Sequence, residues 1–101
     1  MDLSTMKQAM ELRSKLEKIK KELSKMTVEA ESSRGMITVV ASGDQRIVSI
    51  KISPEAVNPN KVNDLEKMVL KTINDALEKS LKMAASEMKA LTGGLNLPGL
   101  T

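Results

Sequence analysis

The chain contains no cysteine and no histidine. Without cysteine there is no disulfide and no thiolate chemistry, which agrees with a reducing compartment. Without histidine the commonest metal ligand and the commonest general base are both missing. No nucleophile stands beside a base at a catalytic spacing. The reading is a protein that is not an enzyme and that holds no metal and no cofactor. Phenylalanine, tyrosine and tryptophan are absent as well. A core must then be built from Leu, Ile, Val, Ala and 8 Met, which pack helix on helix but supply little area per residue. A monomer of this composition would leave apolar surface in water, so an oligomer is expected. No apolar run approaches the roughly 18 residues of a membrane span. The start, Met1-Asp2-Leu3-Ser4, has no basic-then-apolar signal pattern. A soluble cytoplasmic protein is expected, with no membrane partner and no small-molecule substrate.

What is present begins with an unequal distribution of charge. The net charge is +3 over 101 residues. Residues 1–26 carry 7 Lys/Arg against 4 Asp/Glu, so the positive excess sits at the start of the chain. The same stretch holds a helical seam. Ala9, Leu12, Leu16, Ile19, Leu23 and Met26 recur at gaps of 3, 4, 3, 4 and 3. The opposite side carries Lys7, Lys18, Lys21 and Lys25, interrupted by Glu11 and Ser14. Asp2, Ser4 and Thr5 are candidate caps, and the spacing predicts a helix from about residue 4 to about Lys25.

From Thr27 to Ser53 the period changes to two. A first strand covers Val28, Ala30 and Ser32 on one face. Ser33-Arg34-Gly35 is a turn. Met36 to Ser42 follows as a strand, with Ile37, Val39 and Ala41 on one face. Gly43-Asp44 turns again. Gln45 to Ser53 is a third strand, with Val48, Ile50 and Ile52 opposed to Ile47, Ser49 and Lys51. Short turns throughout predict an antiparallel meander. Pro54 ends it, and 54–60 is a connecting loop in which Asn58 or Asn60 is a candidate cap. A second helix is predicted from about Lys61 to Leu91, with a seam of Val62, Leu65, Val69, Ile73, Leu77, Leu81, Ala84, Met88 and Leu91. Asp75 with Lys79 and Glu78 with Lys82 are acid-first pairs at i,i+4. Thr92-Gly93-Gly94 stops the helix, and a flexible tail is expected over 92–101.

The fold class is therefore α+β: long helix, three-stranded antiparallel meander, long helix. One domain is expected over 1–91. The helices are too long for so small a sheet and should project from it, with seams that need each other or a second subunit.

The order resembles the YbaB/EbfC family of nucleoid-associated proteins over nearly the whole chain. The resemblance is carried by Met6-Lys7-Gln8-Ala9, the Gly35–Val40 strand and Val48-Ser49-Ile50-Lys51-Ile52-Ser53-Pro54. Asn74-Asp75-Ala76 and Gly93-Gly94-Leu95-Asn96-Leu97-Pro98-Gly99 complete it. It implies an α-β-β-β-α homodimer whose paired helices project like tweezers. It also implies binding, bending or bridging of DNA with low or modest sequence preference, in the bacterial nucleoid.

Charge placement nominates the contacts. Lys15, Lys18, Lys21 and Lys25 are foremost, with Lys7 and Arg13 next, and Arg34 and Arg46 in or beside turns. Cations on one helix face meet phosphates and release counterions, although Lys is also a good exposed helix former. Base stacking has no aromatic to use, so duplex DNA held by its backbone is the expected partner, together with a second copy of the chain. Packing within or between subunits is assigned to Leu12, Leu16, Ile19, Leu23, Val39, Ile50 and Leu77. The other reading is a protein adaptor that uses the helical arms.

Overall fold

Asp2 starts the first helix. Its Oδ1 accepts from the N–H and the hydroxyl of Thr5, each at 2.8 Å, so two donors of the first turn are satisfied by one carboxylate. The computed structural model describes residues 2–91. Helix α1 spans Leu3–Lys25 and ends where Met26 becomes extended (φ −88°, ψ 141°). The chain then enters strand β1 (Thr27–Glu31), a short 3-10 turn (Ser33–Gly35), strand β2 (Ile37–Ser42) and strand β3 (Ile47–Ile52). A second 3-10 turn at Pro54–Ala56 precedes helix α2 (Val62–Leu91). The α+β order α-β-β-β-α is as the periodicity predicts.

The sheet is antiparallel throughout, in the order β1-β2-β3. Its first reversal is held by Ser32, whose hydroxyl accepts from the Ile37 N–H at 2.8 Å. Arg34 (φ 62°) and Gly35 (φ 65°) both adopt the left-handed conformation there, which glycine takes without strain and arginine does not. The second reversal sits against α1. The Gly43 N–H donates to the carbonyls of Leu23 and Met26, each at 2.9 Å.

One face of the sheet is a core. Ala30, Ile37, Val39 and Ala41 are buried beneath α2, whose Ala76 completes the cluster. Val28, Met36, Leu65, Met68, Val69 and Ile73 border it. Small side chains set the approach of helix to sheet: the fully buried positions of α2 are Thr72, Ala76 and Ser80. Their spacing of four runs one residue behind the predicted seam. Leu77 is consequently only half-buried and Leu81 is exposed. Ser80 is buried because it has polar work to do. Its hydroxyl donates to the Ser42 carbonyl at 2.5 Å and accepts from Gln45 Nε2 at 2.9 Å. Thr72 satisfies its hydroxyl on the Met68 carbonyl at 2.7 Å.

Three local expectations are corrected. The ladder steps from Val40↔Ser49 to Ala41↔Ile47, a β-bulge that skips Val48. Ile47 therefore comes opposite Ala41, on the same face as Ile50 and Ile52, and not on the reverse face. Asn58 and Asn60 do not cap α2. Asn58 instead builds the preceding turn, its Oδ1 accepting from Asn60 N–H at 3.0 Å and its carbonyl from Lys61 N–H at 2.9 Å. Glu78 and Lys82 form the expected pair at 3.4 Å, but Lys79 turns away from Asp75 and donates to the Glu29 carbonyl at 2.9 Å.

The helices project. The principal extents are 67 × 23 × 19 Å and the radius of gyration is 19.1 Å, against about 13 Å for a compact domain of this size. Residues 2–18 are all exposed, and of the α1 seam only Ile19 and Leu23 are buried. The expected stop at Thr92-Gly93-Gly94 and the tail over 92–101 lie outside the described residues.

Candidate nucleic-acid interface

Helix α1 is a free arm with a basic face. Twenty-three residues rise about 34 Å at 1.5 Å each, and only the last two turns rest on the sheet. The basic face follows from spacing. Lys7, Ser14, Lys18, Lys21 and Lys25 lie opposite Leu12, Leu16, Ile19 and Leu23, so docking the seam turns the lysines outward. Among the described residues, none of Lys7, Lys15, Lys18, Lys20, Lys21 and Lys25 forms an ion pair. Their ammonium groups are left to solvent or to an external anion.

The remaining candidates divide. Lys15, three residues from Lys18 and four from Ile19, stands on the flank between stripe and seam. Arg13 reaches Glu17 at 3.6 Å, and Arg46 reaches Asp44 at 3.7 Å. Both arginines are more than four-fifths exposed, and such surface pairs hold a side chain weakly. Arg46 belongs to the turn that Gly43 docks against the end of α1, on the side of Leu23 and Met26. Arg34 does not join it. It lies in the β1–β2 turn, at the far end of β2 from Gly43, about 17 Å away by strand rise. Lys20 was absent from the sequence-based candidates. It borders the seam, next to Ile19, and stripe spacing alone passes over it.

At the tip of the arm the Thr5 N–H, and then the Thr5 hydroxyl, hold the Asp2 carboxyl below the ordinary aspartate range. Asp2 therefore stays charged as the cap that starts the arm.

The packing residues also divide. Ile19, Leu23 and Val39 are buried within the chain. Leu12 and Leu16 are 60% and 37% exposed, and Ile47, Ile50 and Ile52 are 37%, 43% and 42% exposed. Helix α2 packs over β1 and β2, so the apolar face of β3 is left open beside the core. The open shoulder and the open seam each leave large apolar side chains exposed. Among the described residues no cluster of His, Cys, Asp and Glu is arranged to hold a metal ion, and no helix is long and apolar enough to cross a membrane.

Residues 2–95 match the model of the YbaB/EbfC DNA-binding family. The chain is 45% identical over 94 residues to a nucleoid-associated protein of Thermoanaerobacter pseudethanolicus, covering 93% of this chain and 85% of that one. It is 47% identical over 95 residues to a nucleoid-associated protein of Desulforamulus reducens, covering 94% and 90%. In fold it is similar to the crystal structure of an uncharacterized protein from Helicobacter pylori. The TM-score is 0.76 at 14% identity, over 92% of this chain and 99% of that one.

Proposed function

The chain belongs to the YbaB/EbfC DNA-binding family, and from that premise we propose that it is a nucleoid-associated protein that grips duplex DNA by its phosphates as a homodimer. The observation that carries this reading is the projecting arm. Its outward stripe of Lys7, Lys18, Lys21 and Lys25 is exposed and takes no part in an ion pair. Cations of this kind bind by counterion release, with little regard to sequence. The homodimer is supported by the exposed faces of β3 and the α1 seam, which need a cover that α2 does not supply. Two arms on one body raise avidity wherever both engage, and they set the geometry in which DNA is bent or bridged. Such a protein acts on gene expression from within the bacterial nucleoid. No step of this function needs catalysis or a cofactor.

Two variants test the reading. Lys18→Glu/Lys21→Glu weakens binding by similar factors for unrelated duplexes and leaves the sedimentation coefficient unchanged. Unaltered affinity in that variant removes the site from α1. Ile50→Asp converts the dimer into a folded monomer in sedimentation equilibrium. A monomeric wild type at micromolar concentration removes the homodimer.

A further inference from the structure

The lysine stripe does not begin with a lysine. Leu3, Lys7, Met10, Ser14, Lys18, Lys21 and Lys25 follow one another at helical gaps of 3 or 4 along the face opposite the seam. Its outer end is therefore apolar. Leu3 is 86% exposed and Met10 70%, with Met6 between them at 49%. Among the described residues, packing does not account for these side chains. Covering Leu12 and Leu16 by a second copy leaves Leu3 and Met10 outward, because they stand on the other side of the helix. A purely backbone-binding face has no use for them either, since phosphates are met by cations and donors.

Resting on the DNA-binding reading above, we propose that Leu3 and Met10 enter the major groove beside Lys7 and cover thymine 5-methyl groups. The geometry fits an α-helix in that groove, which is wide enough to admit one. Leu3 and Met10 lie seven residues apart, about 10.5 Å along the helix, which corresponds to about three base-pair steps. The thymine methyl is the one apolar group on the major-groove edge of a base, and leucine and methionine are suited to it. Lys7 lies four residues from Leu3 and three from Met10, on the same stripe, and anchors the backbone next to them. The arm then grips with its lysines and reads a methyl pattern with its tip, which yields a modest preference on top of a sequence-blind affinity.

The test removes only the methyl. Two duplexes of identical sequence, one with thymine and one with uracil in its place, are titrated with the full chain by fluorescence anisotropy. Wild type binds the thymine duplex more tightly, by about fourfold for one methyl and about fifteenfold for two. Leu3→Ala/Met10→Ala keeps the helix and binds the two duplexes equally. Four results overturn the proposal. Wild type binding both duplexes within twofold, with salt-sensitive affinity retained, removes methyl readout and leaves the phosphate grip standing. A preference that persists in the double variant moves the readout to other residues. A changed sedimentation coefficient in the variant makes a second copy of the chain the occupant of this face. Absence of binding to either duplex at low salt removes the DNA reading and this proposal with it.

Discussion

Helices α1 and α2 are both long, both amphipathic and built from similar residues, yet they have opposite roles. Helix α2 lies across β1 and β2, and its contact row is Thr72, Ala76 and Ser80, all nearly or fully buried. Helix α1 is buried only at Ile19 and Leu23 and is otherwise exposed. What separates them is the size of the side chains on the contact row. Small residues on α2 let its backbone approach the sheet, and polar groups there find partners in Ser42 and Gln45. Among the described residues, Leu12 and Leu16 of α1 stay exposed, and Leu23 is buried beside Gly43. One helix is scaffold, and the other is a lever presented to something outside.

The largest break in this comparison comes from the scaffold side. Ile37 is fully buried under α2, and Ile37→Ala is expected to cost about 2–5 kcal/mol in urea unfolding. The second comes at the hinge between the halves. A Cβ at Gly43 would lie 2.7 Å from the Leu23 carbonyl oxygen, a backbone atom with no room to retreat. Gly43→Ala should cost about 1–3 kcal/mol and loosen α1 before α2, read as lost hydrogen-exchange protection around Leu23. Ser80→Ala, which removes the hydroxyl that links the Gln45 amide to the Ser42 carbonyl, should cost about 1 kcal/mol in thermal unfolding.

The lever side should behave in the contrary way. Lys18→Glu/Lys21→Glu is expected to change stability by less than about 0.5 kcal/mol while it weakens DNA binding. The smallest effect is at Asp2. Its carboxyl is held below the ordinary value of about 3.9, so its capping contribution is complete above that pH and is lost as pH falls through the lower folded value. Circular dichroism of Asp2→Ala should show a slightly frayed helix at neutral pH and a smaller further loss in acid than wild type.

Much of this division was legible in the residues. The 3.6 and 2 periods place all five main elements to within two or three residues, because apolar patterning follows burial. The lysine stripe was equally plain, since charge on an exposed face is decided by spacing alone. The contact row of α2 was not, because Thr72 and Ser80 do not look like core residues and Leu77 and Leu81 do. Only the partners of the Ser80 hydroxyl, 35 and 38 residues away, explain its burial. The bulge at Val48 was hidden for a similar reason. Alternation in β3 reads cleanly either way, and only pairing with β2 shows that Ile47 joins Ile50 and Ile52. Charge placement nominates Arg13 and Arg46 as contacts, and the structure sets Glu17 and Asp44 beside them.

The central claim is that the arm holds DNA by its phosphates. The most direct measurement is fluorescence anisotropy on two unrelated duplexes of about 30 base pairs, matched in thymine content, across a salt titration. Four phosphate contacts from the stripe predict similar affinity for both duplexes and a loss of about a hundredfold between roughly 50 and 200 mM salt. Affinity that does not change with salt, or no binding at the lowest salt, would contradict the account and leave Lys7, Lys18, Lys21 and Lys25 as no more than a solvated helix face.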